Sequence, residues 1–489
     1  MAIPVWYFVA AFLAILCYLN WQKRNSLPPG PTPIPLLGNG YQFLLARLRG
    51  KSNVDLMREW KNEFGGVYTI WIGPMPAVLV CDYHTAMEAF VRNADAHAGR
   101  TTTFLFQKPR EHLGIIFNDG PSWMTHRREN PRGGKLSLRD PGRADRCGNG
   151  QVTMNPAPML DFLIASIMNK LLAGYRYDEE SAEFLHLKHN LDRMLEIITP
   201  FDQILFNAFT HKLPILRDRW AIVARPQFEI MELMKRQIKD RQEEIASGRH
   251  QIDVSSDGDD FMDAFFIEMK KREETGQDLG VFTEEHLAAT LLDLWIAGTE
   301  TTIGTLLWSF VYILNYPEVQ VKMRAEIARV TNRNRSVELA DRSQMPYTCA
   351  VITETLRCGN IMNFNLFHRV TRDTQVGDYF LPAGTVTVPQ VSVIVTEERE
   401  FENPDKFDPN RFVENRNLEK QVIPFSIGKR SCLGESLARA EMFLILANFI
   451  QKYQVSVPEG CAPPSMEQIS LKSLVKRARR YEMTVKRVY

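Results

Sequence analysis

One short loop near the carboxyl end constrains this 489-residue chain more than any other feature. It reads Phe425-Ser426-Ile427-Gly428-Lys429-Arg430-Ser431-Cys432-Leu433-Gly434, with a single cysteine between two glycines. Backbone N–H groups of a tight, glycine-containing turn can point at a sulfur atom and stabilise its negative charge. One thiolate held in this way suits the axial position of a haem (heme) iron. No second Cys or His lies within a few residues of Cys432, so a structural zinc site is disfavoured.

The loop alone leaves a second interpretation open, because a cysteine outside a disulfide is most often a small buried apolar residue. The other cysteines are scattered along the chain: Cys17, Cys81, Cys147, Cys349, Cys358 and Cys461. An odd, scattered set does not predict a disulfide framework and favours a reducing compartment. Lysine and arginine number 59 against 58 acidic residues, and this near-neutral balance gives no indication of nucleic-acid binding.

The amino-terminal segment Met1–Gln22 has no charged side chain and is rich in apolar and aromatic residues. About 20 such residues span a bilayer as a helix. The basic pair Lys23-Arg24 follows at once, which predicts a single-pass anchor with the rest of the chain facing the cytosol. A cleaved signal peptide is the weaker alternative, because a charged leader and a small-residue cleavage site are both missing. Residues 23–36 are basic and then proline-rich, which predicts a stiff hinge before a single domain at residues 37–489.

Hydrophobic periodicity predicts a mainly α fold with small β-sheets, an α+β class. Helical patterns dominate Met159–Lys271, and further helices are predicted at Asp55–Phe64, Thr283–Leu314, Val319–Val330, Met345–Leu356 and Ser436–Tyr453. Strands are predicted at Val67–Trp71 and Ala77–Val80 and, as short pieces, within Phe367–Val395.

The segment at residues 130–158 departs from this organisation. It holds several prolines (Pro131, Pro141, Pro156 and Pro158), many Arg and Gly residues and few large apolar ones. Such a composition is typical of a disordered loop rather than of a packed core, and Pro131 is expected to end the preceding helix early.

Ala297–Thr302 interrupts the longest helical pattern with a glycine and several threonines, which are poor helix formers. A tolerated packing defect is one explanation. The other is a functional notch, in which Gly298 leaves room for a ligand while Glu300 and Thr301 pass protons. A threonine hydroxyl both donates and accepts, so it can hold a water molecule and relay its proton.

Glu354 and Arg357 are three residues apart and therefore lie on one face of the predicted helix. A surface pair of this kind contributes little to stability. A buried pair needs additional partners, and Arg411 is the candidate third member.

Taken together, the Cys432 loop, the Ala297–Thr302 motif, the Glu354–Arg357 pair and the proline-rich hinge resemble those of cytochrome P-450, the haem-thiolate monooxygenases. The resemblance extends over essentially the whole chain. The anchor and hinge are similar to those of the animal microsomal branch, and within it the chain looks most like the broad drug- and fatty-acid-metabolising group. The implied fold is that of cytochrome P-450, preceded by a transmembrane helix.

The resemblance implies roles for the residues of the loop and the helix motif. Cys432 would be the thiolate ligand of the haem iron, with Phe425 packed beside it. Gly428 and Gly434 would permit the turn. Glu300 and Thr301, where the family more often has Asp and Thr, would deliver protons to dioxygen.

Further roles follow from the same resemblance. Glu354, Arg357 and Arg411 would form a buried network under the haem. The haem propionates would be bound by a set of polar and basic side chains: Arg430, Trp123, Arg127, Arg100 and His368. For His368, an ordinary structural histidine is an equally open interpretation.

The implied activity is that of a monooxygenase of the endoplasmic reticulum membrane. It would insert one atom of dioxygen into an apolar small molecule, such as a fatty acid, a steroid-like compound or a xenobiotic. Electrons would come from NADPH through NADPH-cytochrome P-450 reductase, with cytochrome b5 as a possible second partner. Two alternatives stay open: a haem-thiolate isomerase or synthase that needs no reductase, and a catalytically impaired haem-binding protein, which the segment at residues 130–158 suggests.

Overall fold

The computed structural model describes residues 18, 21–129, 150–178, 180–469 and 475–488. From Gly40 onward its α-helices are α1 (Gly40–Leu48), α2 (Asn53–Phe64), α3 (Tyr83–Met87), α4 (Phe104–Gln107), α5 (Gly120–Glu129), α6 (Ala157–Ala173), α7 (Ala182–Ile197), α8 (Pro200–Leu205), α9 (Pro214–Ala246), α10 (Phe261–Thr275), α11 (Glu284–Asn315), α12 (Pro317–Thr331), α13 (Pro346–Gly359), α14 (Val391–Ile394), α15 (Asn410–Glu414) and α16 (Glu435–Lys452). Its strands are β1 (Val67–Ile72), β2 (Met75–Val80), β3 (Gly99–Arg100), β4 (Gln151–Met154), β5 (His368–Arg369), β6 (Thr374–Val376), β7 (Tyr379–Leu381), β8 (Val386–Pro389), β9 (Tyr453–Ser456) and β10 (Met483–Arg487).

These elements group into two compact units whose segments interleave along the chain. The first unit comprises the described residues of Met1–Thr101, Met362–Asp405 and Lys420–Cys432. The second comprises those of Thr102–Ile361, Lys406–Glu419 and Leu433–Tyr489. The chain is therefore mainly helical with small sheets, as the periodicity predicts.

The first unit is built around a five-stranded sheet in the order β1-β2-β8-β5-β3. Strands β1 and β2 form an antiparallel hairpin, and Gly73 adopts the positive φ of +59° that the tight turn between them needs. Strand β2 runs parallel to β8. Alternate residues of β2 enter different apolar clusters, since Val78 packs with Phe90 and Leu79 packs with Trp60. The two apolar clusters thus cover both faces of the sheet. This packing fixes the positions of its edge strands and loops.

The second unit is organised by α11, whose central position explains its almost continuous burial. The Thr283 side chain caps its first turn by accepting a hydrogen bond from the His286 N–H. The helix packs against α6, α9, α13 and α16. A small sheet in the order β4-β10-β9 completes the unit.

The predicted helices and strands are confirmed with shifts of a few residues at their ends. The helix predicted at Thr283–Leu314 has Thr283 as its cap and ends at Asn315. The strands predicted at Val67–Trp71 and Ala77–Val80 are β1 and β2, joined through Gly73. Capping residues and turn glycines account for this agreement, because they fix boundaries locally.

The prediction for residues 130–158 is wrong at its carboxyl end, and residues 130–149 lie outside the described residues. Gln151–Met154 forms strand β4, which pairs with β10. It is an edge strand without a buried residue, so it needs no large apolar side chains. Pro156 and Pro158 lie at the start of α6, where the missing N–H of proline costs nothing. Prolines that suggested disorder therefore begin a helix.

The predicted membrane anchor at Met1–Gln22 falls almost wholly outside the described residues. Across the part of the chain that the structure describes, helices that combine bilayer-spanning length with sufficient apolarity are not found.

Candidate active site

The Cys432 loop is a closed turn in the first unit. The N–H of Cys432 donates to the carbonyl oxygen of Phe425 at 2.8 Å, and the N–H of Ser431 donates to Gly428 at 3.1 Å. Cys432 itself is exposed on the outside of this turn. The backbone therefore holds the cysteine at the tip of a rigid loop, in the manner that a thiolate ligand requires.

Gly428 is the residue on which this turn depends. Its φ is +76°, and a Cβ atom built on it would lie 1.8 Å from the carbonyl oxygen of Phe90. Both the conformation and the space therefore demand glycine. Gly434, in contrast, has a φ of −91°, which any residue adopts. Gly434 directly precedes the first turn of α16.

Three basic side chains come together in the same unit. Arg100 and His368 lie opposite each other across the β3–β5 pair, and Arg430 donates from its Nε to the carbonyl oxygen of Ala98 at 2.7 Å. All three are buried, and His368 is 3% exposed. Burial, together with the positive charge of Arg100 and Arg430, lowers the pKa of His368 well below its ordinary value. A positive field of this kind stabilises carboxylate groups and fits the propionates of haem.

His368 is oriented by a residue that the sequence did not single out. Its Nδ1 donates to the carbonyl oxygen of His97 at 2.8 Å, and the His97 ring lies 3.1 Å from the Thr387 hydroxyl. The Nδ1–H tautomer of His368 leaves Nε2 as an acceptor on a neutral ring. The structure thus fixes both the tautomer and the orientation of His368.

In the second unit, α11 carries the predicted relay residues. The Thr301 hydroxyl donates to the carbonyl oxygen of Ala297 at 2.7 Å, one turn earlier in the helix. The space beside Gly298 is taken by Met168 of α6, whose Cε would lie 2.5 Å from a Cβ at position 298. The expectation that Gly298 leaves room for a ligand is therefore wrong. The end of the flexible Met168 side chain packs directly against Gly298 in this structure.

Glu300 is held by cations that the sequence analysis missed. Nε of Arg477 donates to its Oε1 at 2.6 Å, and Nζ of Lys188 lies 3.7 Å from its Oε2. Arg477 also bonds Asp192, and Lys188 bonds Asp192 and Asp161. These five residues define the Glu300 network. It combines three carboxyl groups with two cations, and burial raises the pKa of Asp161 to about 6 while Lys188 opposes that rise.

Trp123 and Arg127 lie on α5 in the second unit. Trp123 is 3% exposed, whereas Arg127 is partly exposed. Their spacing of four residues places both side chains on one helix face. Their role in binding the haem propionates stays a prediction.

The residues Glu354, Arg357 and Arg411 are brought together in the second unit. Arg357 donates to both carboxylate oxygens of Glu354, at 2.7 and 2.9 Å, and Nε of Arg411 donates to Oε1 at 3.1 Å. The N–H of Asp408 adds a fourth bond to Glu354 at 2.9 Å. Glu354 and Arg357 are fully buried, so this charge is stabilised by a complete set of donors. The network ties α13 to the segment that carries α15.

Asp293 is a further buried acid, and it lies outside the motifs of the sequence. It is fully buried on α11, and its Oδ1 accepts from Nε of Arg110 at 2.6 Å. Its Oδ2 accepts from the N–H groups of Ile115 and Ile116, both at 2.9 Å. The loop at residues 114–116 is therefore anchored to α11. A lone aspartate in an apolar helix was the only available signal.

Comparison with known protein families matches the chain to Cytochrome P450 over residues 28–129 and 143–485. Similar proteins include Cytochrome P450 2H1 of Gallus gallus, 32% identical over 492 residues that cover 96% of each chain. Cytochrome P450 2C16 of Oryctolagus cuniculus is 32% identical over 472 residues, or 92% of this chain and 93% of that protein. Cytochrome P450 2J5 of Mus musculus is 31% identical over 481 residues, or 95% and 91%.

The family match covers nearly the whole chain, and it is interrupted at residues 130–142. Members of the family carry haem through a cysteine thiolate, and they receive electrons from redox partners. The first unit fits that group, since it combines a rigid cysteine turn at Gly428 with a buried basic cluster. The chain belongs to the cytochrome P450 family, and it is a haem-dependent monooxygenase.

Proposed function

We propose that Cys432 is the axial thiolate of the haem and that the enzyme hydroxylates an apolar small molecule, such as a fatty acid or a xenobiotic. The observation that carries the proposal is the Cys432 turn, in which the Cys432 N–H bonds Phe425 and Gly428 packs on Phe90. When bound, the haem supplies the oxygen chemistry. The protein supplies position, protons and a shielded pocket.

In this proposal, α11 supplies the protons. The Thr301 hydroxyl bonds the Ala297 carbonyl and keeps an acceptor lone pair for a water molecule. Glu300, one residue earlier, is tied through Arg477 and Lys188 to Asp192, whose side chain is 37% exposed. This chain of polar groups supports proton supply from solvent to the Thr301 turn.

The basic cluster of Arg100, His368 and Arg430 is proposed to bind the haem propionates, together with Trp123 and Arg127. The buried cations of the first unit support this role, because a cluster of buried positive charge attracts a carboxylate ligand. The Glu354–Arg357–Arg411 network is proposed to hold the scaffold beneath the haem. Its four bonds to one buried carboxylate support a rigid structural role.

Electrons are proposed to come from NADPH through a membrane-bound reductase, with cytochrome b5 as an additional donor. The endoplasmic reticulum membrane is the proposed location, with the catalytic domain facing the cytosol. Support comes from the basic pair that follows Met1–Gln22 and from the exposed leucines of the next helix. Leu44, Leu45 and Leu48 are 52%, 45% and 77% exposed on one face of α1, which suits contact with a lipid surface.

The test is the carbon monoxide difference spectrum of the reduced, expressed protein. A Soret band at the thiolate position is expected, and Cys432→Ala should abolish it. Cys461→Ala, which removes another exposed cysteine, is the matched control and should keep the band. A wild-type spectrum typical of histidine ligation contradicts the proposal, as does a band that survives Cys432→Ala.

A catalytically impaired haem-binding protein is the second candidate function. The interruption of the family match at residues 130–142 favours it. It predicts a normal thiolate spectrum without NADPH oxidation when reductase and laurate are added. Replacement of residues 130–149 by the corresponding segment of a similar P450 should then restore NADPH oxidation.

A further inference from the structure

The Cys432 loop, which the structure describes in full, carries two charged side chains in different surroundings. Arg430 is buried and bonds the carbonyl oxygen of Ala98 at 2.7 Å. The Lys429 side chain is 44% exposed, and Cys432 is exposed at the tip of the same turn. A protein that approaches Cys432 to deliver electrons therefore meets the ammonium group of Lys429 as the exposed charge of this loop.

Lys429 already has an acidic partner within the chain. Its Nζ donates to Oδ1 of Asp95, and the two side chains form an ion pair. The Asp95 side chain is 67% exposed, so the pair lies at the surface of the first unit. The hydrogen bond from Lys429 lowers the pKa of Asp95, and the charge of Arg372 lowers it further. Asp95 is therefore ionised at neutral pH and occupies the exposed cation of the Cys432 loop.

The two sides of this ion pair differ in how firmly they are held. The segment that carries Asp95 is fixed, because the Asp95 carbonyl oxygen accepts from the Thr371 hydroxyl at 2.9 Å. Nη2 of Arg372 also donates to Oδ1 of Asn93 at 3.3 Å, which keeps a second cation beside this segment. Lys429 ends in a flexible four-carbon stem. The pair can therefore open by rotation of Lys429, and Asp95 then still lies near the charge of Arg372.

We propose that Asp95 is an internal competitor for an acidic electron-donor protein: it pairs with Lys429 in the free enzyme, and it releases Lys429 when an acidic group of the partner docks at the Cys432 loop. The inference rests on the proposed function, because it requires a protein that delivers electrons at Cys432. An exposed ion pair changes an equilibrium constant by about fivefold at most. The competition therefore weakens docking without preventing it, and salt reduces its effect.

The experiment measures the dissociation constant between the holoenzyme and NADPH-cytochrome P-450 reductase at low ionic strength, in vesicles of uncharged phosphatidylcholine. Asp95→Asn should tighten binding by about two- to fivefold, because it frees Lys429 for the partner. Lys429→Gln should weaken binding by about fivefold or more, because it removes the exposed cation of the loop. The double variant should bind like Lys429→Gln, because Asp95 acts through Lys429. All these differences should shrink as salt is added.

Two controls separate competition for Lys429 from a general change of charge. Asp378→Asn removes the same charge from an exposed position in the β6–β7 turn and should leave the dissociation constant within about 1.5-fold of wild type. Asp95→Glu keeps the carboxylate and should bind reductase within about twofold of wild type. An Asp95→Asn change that tightens binding equally with and without Lys429 overturns the proposal, as does an Asp95→Asn variant of unchanged affinity.

The binding measurement does not depend on turnover, and the carbon monoxide spectrum separates its failure from that of the proposed function. Every variant should keep the thiolate Soret band, because Asp95 and Lys429 are surface side chains. A wild-type protein without that band would sink the proposed function. A wild-type protein that has the band and binds reductase no better than Lys429→Gln would overturn the role of Lys429 in docking, and with it the role of Asp95.

Discussion

Arg477 and Glu300 are joined by a hydrogen bond of 2.6 Å from Nε to Oε1, although they are far apart in the sequence. The same guanidinium group bonds Asp192 at 2.9 Å. The carboxyl-terminal segment of the chain therefore takes part in holding the acid next to Thr301. The position of Glu300 depends on a residue outside every motif of the sequence.

Arg477→Ala should lower the free energy of unfolding by about 2 kcal/mol, because it leaves a buried Glu300 without its main cation. Denaturant unfolding of the holoenzyme measures the loss. Arg479→Ala is the matched control, since its pair with Glu467 is largely exposed and contributes about 0.5 kcal/mol or less. Equal losses in the two variants would show that the Glu300 network contributes no more than a surface pair.

The Asp161 carboxyl should make stability depend on pH in a defined direction. Burial raises its folded-state pKa to about 6 from an ordinary 3.8, so this carboxyl favours the folded state most below pH 4. That contribution is lost as the pH rises through 6, because the unfolded state releases the proton first. The free energy of unfolding of Asp161→Asn, measured relative to that of wild type, should therefore rise by roughly 2–3 kcal/mol between pH 4 and pH 7.

Unfolding free energies at several pH values measure this difference between the two proteins. Asp405→Asn, at a side chain that is 78% exposed, is the control and should follow wild type. A pH-independent difference between Asp161→Asn and wild type contradicts the assignment.

Gly428→Ala should destroy the Cys432 turn. The added Cβ would lie 1.8 Å from the carbonyl oxygen of Phe90, so the loop must move and the thiolate Soret band should be lost. Gly384→Ala isolates the cost of the backbone conformation, because Gly384 has a φ of +88° with open space around it. That control should lose only about 1 kcal/mol of stability and keep the band. A normal band in Gly428→Ala would contradict the structure of the loop.

Gly298→Ala should destabilise the second unit, even though alanine is the better helix former. The new Cβ would lie 2.5 Å from Cε of Met168, and overpacking of this kind costs about 1–3 kcal/mol. Met168→Ala removes the obstacle. The Gly298→Ala change should therefore lower stability much less in the Met168→Ala protein than in wild type. Thermal unfolding of the four proteins completes the cycle, and strict additivity would argue against the contact.

Local signals account for what the sequence predicts well. Thr283 caps α11, Gly73 turns the β1–β2 hairpin, and the spacing of Glu354 and Arg357 places them on one face. Each of these features is decided within a few residues. The sequence analysis names Arg411 as the candidate third partner of this pair, and the structure brings it to Glu354.

Long-range partners account for what the sequence does not predict. Arg477 and Lys188 are ordinary basic residues until the fold brings them to Glu300. The sequence indicates a functional notch at Gly298, because the sequence alone does not show that Met168 fills the space beside this glycine. Such errors are expected wherever a contact, rather than a propensity, selects the residue.

The parallel pairing of β2 with β8 has a consequence for how the chain folds during synthesis. Val80 of β2 pairs with Pro389 of β8, so one side of β2 stays unpaired while the intervening residues are made. At about 5–20 residues per second, that delay is roughly 15–60 s. During this time β2 offers an uncovered apolar edge, which is prone to wrong pairing and to capture by chaperones. Folding of the first unit is therefore limited by ribosome progress, and the Cys432 loop is among the last parts to acquire its shape.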